Sequence, residues 1–134
     1  MGGAGDQATL NQLNGTKNDF VMEAERQGAR AEGLRREVVG LGLVVDATNL
    51  EVSRLTEAIL RLQAPNVPDP LVAERIAVLT QLRDGHQARL PIVAEEIATA
   101  TSNAEAFQAA ADAANNSAAE TRVLIVECLK TMGM

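Results

Sequence analysis

Residues 64–70 read Ala64-Pro65-Asn66-Val67-Pro68-Asp69-Pro70, and they decide the fold. Three of the four prolines in the chain fall here, near its midpoint. Each removes a backbone donor and restricts the residue before it, so the segment cannot be helical throughout. It also ends on a helix start. Asp69 offers an N-cap carboxylate, and Pro70 suits the first helical position, where a missing N–H leaves nothing unpaired. The stretch is therefore a Pro-rich connector, 64–70.

Outward from the connector, seam residues recur at alternating steps of three and four. The first seam runs through Leu10, Leu13, Lys17, Phe20, Ala24, Gln27, Ala31, Leu34, Val38, Leu41, Val45, Thr48, Val52, Leu55, Ile59 and Leu62. The second runs through Val72, Ile76, Leu79, Arg83, His86, Leu90, Val93, Ile97, Ala100, Ala104, Phe107, Ala111, Ala114, Ala118, Thr121, Ile125, Cys128 and Met132. Such spacing lays one apolar stripe along each helix and is the coiled-coil pattern. It predicts one helical domain, 1–134: a flexible N-terminus 1–8, arm 1 over 9–63 and arm 2 over 70–132. Thr9-Leu10-Asn11-Gln12 has capping-box spacing for the first start, and Thr16 with Asp19 offers a later one behind Asn14-Gly15.

Folding the chain at the connector sets Leu62 opposite Val72, Ile59 opposite Ile76 and so on to Leu10 opposite Ile125, with partner numbers adding to 134 or 135. Phe20 then faces Ala114, Phe107 faces Gln27, and Ala24 and Ala31 face Ala111 and Ala104. Large residues meet small or flexible ones, and paired alanines let backbones approach. Thr48 and His86 share a layer and are expected to satisfy each other. The expected fold is all-α, a long antiparallel helical hairpin with coiled-coil-like heptad seams at 10–62 and 72–132. At the helical rise its length would be roughly 80 Å. Gly40, Gly42 and Pro91 fall at the same height and predict a hinge, a kink near 40–42/91. The alternative is a compact four-helix bundle of 8–39, 43–63, 70–89 and 92–132. The unbroken heptad phase through the breakers favours the kinked hairpin.

Composition narrows the function. The chain has 134 residues, 12 basic and 18 acidic, for a net charge of −6. An acidic chain with two Phe and neither Tyr nor Trp lacks both the charge and the stacking platforms for nucleic acid. One Cys and one His cannot build a Cys/His metal centre. The longest uncharged apolar run, Val38 to Val45, is far short of the roughly 20 residues of a membrane span. The start Met1-Gly2-Gly3-Ala4-Gly5-Asp6 has no secretory-signal pattern. The expected location is intracellular (cytoplasmic), or within a macromolecular assembly. His86 and Cys128 read as seam residues rather than reagents. Neighbouring Glu95 and Glu96 do not face each other on a helix. No catalytic, cofactor or metal residue and no small-molecule substrate is expected, and the chain does not read as an enzyme.

Three surfaces remain. Residues 91–121 carry five acids and no base, with 12 alanines between 94 and 119. The connector presents a tip at Pro65, Asn66, Val67 and Pro68. The largest is an off-seam apolar set: Val39, Leu43, Val44, Leu50, Leu60, Val78, Leu82, Ile92, Val123, Leu124, Val126 and Leu129. A two-helix hairpin buries one stripe per helix, so these residues predict a second, exposed apolar face and hence self-association or embedding. The expected function is a non-enzymatic structural protein. It would be a hairpin rod or spacer in a homo-oligomer or a larger virus-like or secretion-type complex. The alternative is an adaptor or chaperone that binds a partner's amphipathic helix. A coat on a lipid or polymer granule comes third, because an acidic chain lacks the basic face that favours anionic lipid.

Overall fold

The computed structural model describes residues 6–66 and 69–133. It contains two α-helices, α1 (Gln7–Gln63) and α2 (Pro70–Thr131), of 57 and 62 residues. They pack against each other as an all-α helical hairpin, and no strand occurs among the described residues.

The helix ends follow local chemistry. Asp69 caps α2 as the sequence predicts: its carboxylate accepts from the Leu71 N–H at 2.9 Å, and its carbonyl accepts from the Ala73 N–H at 3.0 Å. The start of α1 differs from the expected Thr9. The Asp6 carboxylate accepts from the Thr9 N–H at 2.6 Å, and the Asp6 carbonyl accepts from the Leu10 N–H at 3.0 Å. Asp6 is thus the N-cap and Thr9 the third helical residue, because a charged acceptor suits the positive end of a helix better than a hydroxyl. Neither Asn14-Gly15 nor Thr16 delays the start, since all three lie inside α1. At the far ends, Asn66 takes a left-handed φ of 51° after α1 and Gly133 a φ of 79° after α2. The Gly133 N–H closes α2 by donating to the Lys130 carbonyl at 3.0 Å.

Both helices run unbroken past the expected breakers. Gly40 and Gly42 lie inside α1, and Pro91 lies inside α2. The four-helix alternative is therefore not the fold. A proline removes one hydrogen bond from a helix, and a long heptad stripe packed on both sides outweighs that loss.

The chain divides into two compact units. Unit 1 comprises Met1–Arg35 with Ser102–Met134, and unit 2 comprises Arg36–Thr101. Every seam position named above is buried or half-buried, and every buried residue lies on a seam. In unit 1 the buried set is Leu10, Ala24, Ala31, Ala104, Ala111, Ala114, Ala118, Thr121 and Cys128. Six of these are alanines, none more than 7 % exposed, and burial that complete at so small a side chain requires close helix backbones. In unit 2 only Leu55, Ile59, Val93 and Ala100 are buried, and the remaining aliphatic seam residues stay half-open.

Polar contacts between the two helices occur within unit 1. The Arg35 guanidinium donates to the Gln108 side-chain carbonyl at 2.8 Å, and the Gln108 amide donates onward to the Asp112 carboxylate at 3.0 Å. The Arg30 guanidinium lies 5.7 Å from the centre of the Phe107 ring, a cation–π distance. The Cys128 thiol sits 3.8 Å from the Asp6 carbonyl. Asp6 at the start of α1 thus meets the end of α2, while Arg30 and Arg35 meet Phe107 and Gln108 in its middle, the antiparallel sense that the folded seams predict.

Candidate interaction surface

The off-seam apolar residues stand where the sequence places them, with one correction. Val39, Leu43, Val44, Leu50, Leu60, Val78, Leu82, Ile92, Val123, Leu124 and Val126 are exposed. Leu129 is half-buried, because it follows seam residue Cys128 and flanks the contact between helices. Met22 and Leu71 are also exposed and were not in the expected set. Leu71 is the most open of all at 75 %, directly after the Pro70 helix start, and the heptad phase of the α2 seam was the signal that could have found it.

These residues are distributed unevenly. Unit 1 holds Met22, Val123, Leu124 and Val126; unit 2 holds the other nine. Within unit 2, all but Val44 fall on second rows with helical spacing. On α1, Val39, Leu43, Asp46, Leu50, Ser53, Glu57 and Leu60 alternate steps of four and three. On α2, Leu71, Arg75, Val78, Leu82, Gly85, Arg89, Ile92 and Glu96 do the same, and every one is exposed. A row of this spacing is a helix face that a further helix can pack on.

The polar candidates resolve differently. Thr48 does not bond His86. Its hydroxyl donates instead to the Val44 carbonyl one turn back in its own helix at 2.7 Å, the local acceptor always within a helical threonine's reach. His86 is half-buried on the seam, and Glu95 and Glu96 are exposed. Cys128 is fully buried against Asp6 and, at 4.0 Å, the Met132 sulfur, so its thiol does not meet solvent. In the acidic alanine-rich stretch, the seam alanines 104, 111, 114 and 118 are buried within unit 1. Asp112 is tied through Gln108 to Arg35, a contact between helices that the spacing of charges along one helix could not reveal. On the seam beside it, Gln27 donates to Glu23 at 2.6 Å while its own buried carbonyl oxygen has no partner.

At the expected tip, Pro65 and Asn66 are exposed, while Val67 and Pro68 lie outside the described residues. A groove of about 290 Å³ beside the connector is lined by Leu62, Val72 and Ile76 with Gln63, Asn66 and Asp69. No helix among the described residues is long and apolar enough to cross a membrane. No group of three or more His, Cys, Asp or Glu among them could hold a metal ion. No family model matches the chain, and no curated protein or solved structure matches it.

Proposed function

We propose that this chain is a non-enzymatic structural component, a helical hairpin that joins an oligomer or larger protein assembly through the apolar residues of unit 2. One observation carries this reading. Unit 2 buries four hydrophobic side chains and leaves nine large ones in solvent. A single exposed leucine means little, but helical rows of them mark a surface that another protein covers. The net charge of −6 favours a protein over an anionic lipid surface as the cover.

Sedimentation equilibrium on the full chain tests this proposal. The expected result is a discrete mass above the 14.2 kDa of one chain, rising with concentration to a plateau. A mass that stays at 14.2 kDa over the whole accessible concentration range would overturn it.

A further inference from the structure

The exposed row of α2 is self-complementary about Gly85. Val78 lies seven residues before Gly85 and Ile92 seven after. Arg75 lies ten before and Glu96 eleven after. When two such rows run antiparallel about a two-fold axis at Gly85, Val78 of each meets Ile92 of the other, about 10 Å from the axis on either side. Arg75 of each then meets Glu96 of the other, giving two opposite-charge pairs at the rim. A parallel pairing would instead set Arg75 on Arg75 and Glu96 on Glu96. Between these layers, the aliphatic stem of Arg89 lies along the partner's Leu82.

Gly85 supplies the second observation. It is the one glycine within α2, and glycine is a poor helix former. A Cβ built at Gly85, as at every other described glycine, would meet nothing within 4 Å in its own chain, so packing inside the hairpin does not require it. What sets Gly85 apart is its place at the centre of the exposed α2 row, where the missing side chain suits the close crossing of a second helix.

We infer that a second copy of this chain seats on the α2 row, antiparallel and crossing at Gly85, held by Val78–Ile92 and Arg75–Glu96 contacts made twice. The inference rests on the proposed assembly role and names its partner surface.

The test is sedimentation equilibrium on the full chain and on Arg75→Glu, Glu96→Arg and the double variant, with circular dichroism confirming helicity. Each single reversal sets like charges together at two places and should weaken the dimer roughly tenfold or more. The double variant restores both pairs and should return to within roughly threefold of the native chain. A Gly85→Cys chain should also form a covalent dimer under mild oxidation, because helices crossing at close range bring the two positions within disulfide reach. The native chain, whose single thiol is fully buried, is the control. If the native chain associates but all three charge variants associate equally, the α2 row is overturned and the assembly role stands. The row is equally overturned if the double variant is no tighter than the singles. If the native chain remains monomeric, both fall.

Discussion

Unit 1 and unit 2 carry the same three-four seam, yet unit 1 buries nine of its positions and unit 2 only four. In unit 1 the buried part of the seam is largely alanine, none of its six buried alanines is more than 7 % exposed, and Arg30, Arg35 and Cys128 add contacts between helices. In unit 2 the seam is leucine, valine and isoleucine, and most of it remains half-open, with further apolar rows outside it. The more hydrophobic unit is thus the less complete one. Small side chains let two helices shield each other fully, whereas bulky ones hold the backbones apart and need additional surface to cover their flanks.

The contrast can be attacked where its expected effects are largest. Ile59, 5 % exposed, is among the few closed positions of unit 2. Ile59→Ala should destabilise the chain by about 2–5 kcal/mol in urea denaturation, with amide exchange rising first in 36–101. A loss well below that range would mean that unit 2 has no core of its own. Next comes Ala31, which has no exposed surface. Ala31→Leu should cost about 1–3 kcal/mol by forcing the helices of unit 1 apart, although leucine is an excellent helix former. Were Ala31→Leu stabilising instead, close backbone approach would not be what closes unit 1. The smallest effect belongs to Leu43, 65 % exposed on the outer row of α1. Leu43→Gln should change the stability of the isolated chain by no more than about 0.5 kcal/mol. A clear loss of stability in the monomer would place Leu43 in a core and sharpen the contrast in the opposite direction.

Much of this was legible because the deciding signals are local. The connector at 64–70 and the Asp69 cap depend on proline and carboxylate chemistry acting over three or four residues. The seams depend on helical periodicity alone, and Leu10, Ala31, Ile59, Val93 and Cys128 are all buried where that spacing puts them. Most of the exposed apolar set followed from the same geometry, but Leu129 flanks the seam closely enough to be half-buried, and exposed Met22 and Leu71 were missed. Three features escaped for physical reasons. Asp6 outcompeted Thr9 as the first cap, through a carboxylate whose residue also meets Cys128 from the distant end of the chain. Thr48 bonded its own helix rather than the histidine expected across the seam. The tie from Arg35 through Gln108 to Asp112 joins residues far apart in the sequence, and no spacing rule within one helix could find it.

The sequence by itself determined two helical arms, the connector between them and the identity of the faces that meet. Periodicity and capping act within one or two turns, so they need no knowledge of the partner helix. The unbroken heptad phase already favoured helices continuous through Gly40, Gly42 and Pro91, whereas the tertiary structure alone decided that the chain divides at 35/36 and 101/102. It alone decided that buried alanines bring the helices together in one unit while aliphatic bulk leaves most of the other seam half-buried. Those outcomes depend on the separation of two backbones, which every side chain along the seam sets jointly and no single stretch of sequence records.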